Sequence, residues 1–199
     1  MLKEIASYLL GLLGSFALWT FAIYWLHRWS HIHHRRNPLW WLHRPHHAEP
    51  YLRQDSHPRW PTLGQYLFWL GSVRLSLDVV LVMTLPLLVI CWFWPAYGIP
   101  LLVFHYLYEV FLSESVLDHN PRVQGRITHW FAWGDFHLHH HVNLQRNFGL
   151  MVCFWDWLFG TIEHPEPGAS LERIGARLRR LAQAQELVRQ SSRSQAASS

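Results

Sequence analysis

The sequence predicts an all-α, integral-membrane helical bundle of about three spans with a cytoplasmic histidine-rich helical cap. Three observations predict it. Long uncharged apolar runs recur, tryptophans gather at the run ends, and histidines follow the runs in pairs three and four residues apart. Half of the 199 residues are apolar and 16% are aromatic. The mean hydropathy of −0.01 hides this, because 16 histidines and 17 Lys plus Arg residues offset the runs. Trp25, Trp29, Trp92 and Trp94 sit at run ends, where an indole meets both hydrocarbon and water.

The first run, Ile5 to Leu26, carries no charge; as a helix it reaches about 33 Å against a hydrocarbon core of about 30 Å. Ser15-Phe16-Ala17 resembles a signal-peptidase site, but cleavage there would leave half a span attached. Leu77 to Trp94 and Gly98 to about Leu117 read as a helical hairpin turning at Pro95-Ala96-Tyr97-Gly98. Pro86 is expected to bend the second helix. Tyr66 to Val73 is too short to cross and reads as re-entrant or interfacial.

Arginines place the ends. Arg28, Arg35, Arg36, Arg44, Arg53 and Arg59 follow the first run, and Arg122, Arg126 and Arg146 follow the hairpin. The positive-inside rule puts both segments in the cytoplasm, with the N-terminus outside and the C-terminus inside. Residues 1–165 therefore read as one membrane-embedded domain. Residues 166–199 read as an amphipathic surface helix, with Leu171, Ile174, Leu178 and Leu181 at helical spacing, ending in a disordered tail. The net charge of +4 does not imply nucleic acid, because the arginines flank apolar spans and form no single basic element. Cys91 and Cys153 are isolated and read as buried thiols.

The chemistry lies in the histidine spacing. His27 and His31 are four apart at the end of the first run. His43, His46 and His47 form H-R-P-H-H, and His137, His140 and His141 form H-L-H-H-H, with His119 upstream in Asp118-His119-Asn120. Such spacing puts rings on one helical face. Pro45 should place the helix start close to His43. Nine imidazoles shared by two ions exceed what tetrahedral zinc takes and suit octahedral iron with open positions, although zinc in a purified sample is also expected from its affinity for nitrogen.

The motifs H-R-W-S-H, H-R-P-H-H, D-H-N and H-L-H-H-H, followed by Asn147-Phe148-Gly149 and Trp155-Asp156-Trp157-Leu158-Phe159-Gly160-Thr161, resemble the fatty acid hydroxylase and sterol desaturase superfamily from about Tyr24 to Ile162. The resemblance implies a membrane enzyme with a di-iron centre that activates O2 to hydroxylate or desaturate a lipid. It makes His27, His31, His43, His46, His47, His119, His137, His140 and His141 the metal ligands. Some members carry a fuller motif around the position of His119, which leaves His105 or His129 as a candidate tenth ligand. His139, on the other face, reads as a donor behind the ligands; His33, His34, His57 and His164 read as bystanders.

Asp118, Glu114 and Asp156 are candidates to accept the free N–H of a ligand imidazole, and Asp156 equally reads as a helix cap or a loop hydrogen bond. His105 and Glu109 share a helix face within the third span and read as an intramembrane pair. Arg74 and Asp78 read as a structural ion pair. No G-x-G-x-x-G, haem Cys motif or iron-sulfur Cys set is present, so a separate electron-donor protein is implied on the cytoplasmic face. The lipid, a sterol, fatty acyl chain or carotenoid-like molecule, is expected to enter sideways from the bilayer. The membrane would be the inner membrane in a bacterium and the endoplasmic reticulum in a eukaryote. The rival reading is a non-enzymatic metal-binding or metal-transport protein. Against it, transport needs ligands along the spans, and only His105 lies within one.

Overall fold

The computed structural model describes residues 1–48, 61, 63–67, 73–164, 166, 172, 173, 176 and 180, without the side chains of Ala48, Arg74, Glu114 and Ser115. Among these residues every extended element is helical, and Phe131 and Val152 form one isolated antiparallel bridge. Among the described residues three helices are long and apolar enough to cross a membrane: Leu2–Ser30, Leu75–Phe93 and Pro95–Ser113. His57 and most of the expected C-terminal amphipathic helix, including Leu171, Ile174, Leu178 and Leu181, lie outside the described residues.

Helix α1 (Leu2–Ser30) buries one stripe, Ser15, Trp19, Ile23 and His27, at a spacing of four residues. Its first ten residues are exposed all round, and farther along its outward side, including Leu13 and Leu18, is exposed, as a lipid-facing surface requires. Lipid gives helices no hydrophobic reason to associate, so packing and interhelical hydrogen bonds hold them together. Trp19 supplies both. It is fully buried against Val82, Met83 and Leu87, and its indole N–H donates to the Met83 carbonyl at 2.9 Å.

That carbonyl lies in a helix whose ladder changes. The second span runs through α4 (Val73–Val79), a π-helical stretch Val80–Thr84 and α5 (Leu85–Phe93). Pro86 has no N–H to return to the preceding turn, and just before it the ladder widens to five-residue spacing, with Leu85 N–H on the Val80 carbonyl. The expected disturbance at Pro86 is therefore a π-helical stretch.

The hairpin differs from expectation. Pro95 to Gly98 is not a turn but the first turn of α6 (Pro95–Tyr108), because proline at the first helical position lacks only an N–H that has no helical partner there. The chain breaks at Trp94 alone, with φ −138° and ψ 68°. Gly98 lets α6 close on α5, since a Cβ there would stand 2.6 Å from the Cys91 backbone. Cys91 is half-buried and Cys153 buried, both as free thiols. After α6 the chain continues as a second π-helical stretch, Glu109–Asp118, which ends the helix one residue before His119.

Between α1 and the hairpin lie α2 (Pro38–Ala48) and the short α3 (Leu63–Leu67). Residues 68–72 of the expected re-entrant segment fall outside the described residues. Helix α2 begins at Pro38, not near His43, so Pro45 lies inside it. Asn37 fixes that start: its Oδ1 accepts Leu39 N–H, while its amide donates to the Trp29 and Ile32 carbonyls at the end of α1. Helix α2 then packs against both α1 and α4, and this packing outweighs the single backbone bond lost at Pro45. Beyond the spans, α7 (Asp135–Val142) and α8 (Phe154–Leu158) complete the histidine-bearing end.

Candidate metal centre

Four segments bring the histidines to one end of the bundle. His27 lies in the last turn of α1 and His31 just after it, α2 carries His43, His46 and His47, His119 follows the second π-helical stretch, and α7 carries His137, His140 and His141. Helix α7 starts from Gly134, whose φ of 55° and contact with the Val123 backbone leave no space for a Cβ.

The nine rings form two groups. His27, His31, His43, His47 and His140 make one, and His46, His119, His137 and His141 the other; in each, one nitrogen per ring lies within 4.8 Å of all the rest. The groups are neighbours, with the His47 and His141 ring centres 4.5 Å apart. In the first group, facing Nε2 atoms stand 3.2 Å (His27 and His43), 3.1 Å (His43 and His31), 2.8 Å (His47 and His43) and 2.9 Å (His140 and His31) apart. In the second, His119, His137 and His141 stand 3.2 Å from one another.

These spacings suit a cation. A metal–imidazole bond of about 2.1 Å puts neighbouring ligand nitrogens roughly 3.0–3.4 Å apart in octahedral or tetrahedral sets. The protons point elsewhere. His27 Nδ1–H donates to the Phe148 carbonyl at 2.7 Å, His140 Nδ1–H to the Arg146 carbonyl at 2.6 Å, and His43 Nδ1–H to Asp78 Oδ2 at 2.8 Å. With the Nδ1 protons so placed, the three Nε2 atoms converge with their lone pairs free to ligate a cation.

Electrostatics agree. Burial pushes the His119 and His140 imidazoles down to about 3 from an ordinary 6.5. Burial first, and the neighbouring imidazoles second, hold His31, His46, His47, His137 and His141 well below that ordinary value. Neutral imidazole is the form that binds metal.

The loop after α7 aims two of those acceptors. Asn147 takes a φ of 57°, is fully buried, and donates from its amide to the Phe136 and Glu163 carbonyls while accepting Glu163 N–H. Asp156 accepts Phe148 N–H, Gly149 N–H and the Thr161 hydroxyl, each at 2.7 Å. A Cβ on Gly149 would collide with the Val152 carbonyl and stand 2.8 Å from Asp156 Oδ2. Thr161 and Tyr24 hydroxyls lie 2.9 Å apart, joining this loop to α1 beside His27.

Several expectations need correction. Of the two readings of Asp156 the loop hydrogen bond holds: it positions Phe148, whose carbonyl accepts from His27. Asp118 accepts from the Tyr108 and Ser113 hydroxyls. Glu114 has no described side chain. Asp78 accepts from His43; its expected pairing with Arg74 falls outside the described side chains. Neither tenth-ligand candidate joins a group among the described residues: His105 Nε2 lies 2.9 Å from Thr84 Oγ1 and His129 stacks on His164. His105 Nδ1 and Glu109 do face each other, at 3.7 Å. His139 is buried behind α7 with Nε2 3.2 Å from Glu163. His33 and His34 stay outside both groups, His33 packing on Trp40.

Sequence reasoning missed three partners, Asp78 and the carbonyls of Phe148 and Arg146. Asp78 alone carried a signal, as a carboxylate near the end of a span that also faces histidines.

Membrane-length helices ending in two clustered sets of buried imidazoles define a histidine-cluster metalloprotein of the membrane. The fatty acid hydroxylase family model matches residues 12–161, and the chain belongs to that family. No curated protein and no solved structure matches it. Membership implies an oxygenase or other oxidoreductase, and with the histidine groups it suggests iron.

Proposed function

We propose that the chain is an O2-dependent lipid hydroxylase or desaturase with one iron ion in each histidine group. The observation that carries this is the fixed tautomers: His27, His43 and His140 donate from Nδ1 to three different acceptors and turn their Nε2 atoms to one point. His27, His31, His43, His47 and His140 would hold one ion, and His46, His119, His137 and His141 the other. Iron bound there supplies O2 reduction and hydrogen abstraction from an unactivated C–H bond.

In balance, a C–H group, O2, two electrons and two protons give an alcohol and water; two adjacent C–H groups give an alkene and two waters. The electrons come from a separate donor protein docking at the histidine-bearing end, on the cytoplasmic side by the arginine distribution. The chain's own part is to aim nine imidazoles, and to set the site at the ends of apolar helices, where a lipid arrives without leaving the bilayer.

Iron-loaded protein in bilayers, given a reduced donor and isotopic O2, tests the reading. A hydroxylase product carries the label, and a desaturase product lacks two hydrogens while labelled water forms. Turnover that continues without O2, or with zinc replacing iron, would falsify the oxygenase reading.

A further inference from the structure

Two openings share a wall beside the first histidine group. One is a cleft of about 330 Å3, bounded by Arg28, His31, Gln145 and Phe148 together with Trp25 and Trp29. The other is an apolar groove of about 770 Å3 between α1 and the second span, bounded by Leu18 and Ala22 on one side and Leu85 and Val89 on the other. Trp25 and Trp29 line both, so the two are neighbours. Each has the volume of a small-ligand site.

Two features limit the occupant. From Arg28 to Leu18 the axis of α1 covers about 15 Å, half of a hydrocarbon core of about 30 Å, so the groove reaches the depth of one lipid leaflet. Its lining is hydrocarbon and aromatic throughout. In the neighbouring cleft stands a cation held in place: Arg28 donates to the Tyr24 hydroxyl at 3.2 Å, with its guanidinium 5.3 Å from the Trp25 ring centre and 5.7 Å from that of Phe148. Aromatic contacts orient the planar group and leave its other donors for a ligand. His31, one of the five imidazoles, lines the cleft next to it.

We propose that the substrate is a long-chain amphiphile with an anionic head, a carboxylate or a phosphate, bound with the head at Arg28 and the chain in the groove between α1 and the second span. The C–H bonds presented beside His31 are then those near the head. The inference rests on the oxygenase reading only for what happens to the substrate once bound.

Binding is tested without turnover. The full chain in phosphatidylcholine nanodiscs is photolysed, without O2 or electron donor, with four probes that share one hydrocarbon chain bearing a diazirine near its end. Their heads are a carboxylate, a phosphate, an alcohol and a trimethylammonium. An anionic probe should label the segments 18–26 and 81–90 about tenfold more than the cationic one, the equivalent of one charge-assisted hydrogen bond. The stronger of the two anionic heads identifies the headgroup. Arg28→Gln should bring its labelling down to that of the alcohol, Arg28→Lys should retain most of it, and Ala22→Phe, which fills the groove from its lipid side, should lower labelling by every probe. Equal labelling by the cationic probe, labelling spread evenly onto the outward Val103 and Leu107 of α6, or indifference to Arg28→Gln would overturn the proposal. Because no O2 is used, such a result leaves the oxygenase reading standing, and failure of O2-dependent turnover leaves this one standing.

Discussion

His46 and His140 hold equivalent places in two H-x-x-H-H segments, and each joins the group built by the other's helix. In α2, His43 and His47 enter the first group and His46 the second; in α7, His137 and His141 enter the second and His140 the first. Helix geometry accounts for the exchange. Residues four apart diverge by about 40° around the axis, whereas the residue three along turns about 60° the other way. Two facing helices therefore each give a close pair to one group and a single ring to the other.

The exchange sets how losses combine. His46→Ala should weaken the second group, although its sequence neighbours belong to the first, and His140→Ala the first. Each should lower bound metal by about one ion per chain at limiting concentration, since removing a ligand opens a site. His46→Ala combined with His137→Ala should lose no more than either alone, while His46→Ala combined with His43→Ala should lose both ions. Metal analysis of the four proteins decides it, with His33→Ala and His164→Ala as variants expected to keep full metal. Additive loss in the first pair would contradict the partition.

Asp78 should act through His43. The carboxylate fixes the ring's tautomer and offsets the charge of a bound cation, and loss of such a partner typically costs about 10–100-fold in metal affinity. Asp78→Ala should fall in that range, and Asp78→Asn, which still accepts through its amide oxygen, should lose less. Metal titration of purified protein reads both. Equal affinity for Asp78→Ala and the native chain would leave His43 held by its helix alone.

Asp156→Asn should unsettle the loop that carries the Phe148 carbonyl. The three donors now on Asp156 need acceptors, and an amide offers one oxygen where the carboxylate offered two. A buried N–H left facing an NH2 group costs about 1–3 kcal/mol. Thermal unfolding should show that loss, and metal should be lost from the first group before the second, since His27 depends on Phe148. Gly149→Ala, which collides with the same backbone, should mimic it.

The spans and all nine grouped histidines were legible because periodicity and spacing are local properties, and a helix converts them directly into faces. The partners of the rings were not legible for a different reason. His27 meets a backbone carbonyl 121 residues away, and backbone acceptors leave no mark in the identity of a residue. Asp78 was visible as a carboxylate, but its contact with His43 needed the packing of α2 on α4. The prolines misled in one direction. Pro45 and Pro95 were read as limits, whereas tertiary packing accommodates the first inside α2 and the start of α6 suits the second.

Acid should unfold the metal-free protein steeply. His119 and His140, held down to about 3 in the folded chain, return to about 6.5 when it unfolds, and five more group members shift in the same direction. Between those values the unfolded chain binds more protons than the folded one, so stability rises with pH across the window. The contribution is full above about pH 6.5 and is lost progressively as the pH falls toward about 3. Several buried histidines act together, which makes the transition sharper than a single group would give. Chelator-treated protein in detergent, followed by Trp fluorescence from pH 8 downward, should hold a plateau above pH 7 and unfold within that range. Bound metal should move the midpoint lower, because the ion competes with protons for the same Nε2 atoms. A metal-free protein that keeps its stability to pH 4 would show that the histidine end opens to water before the spans come apart.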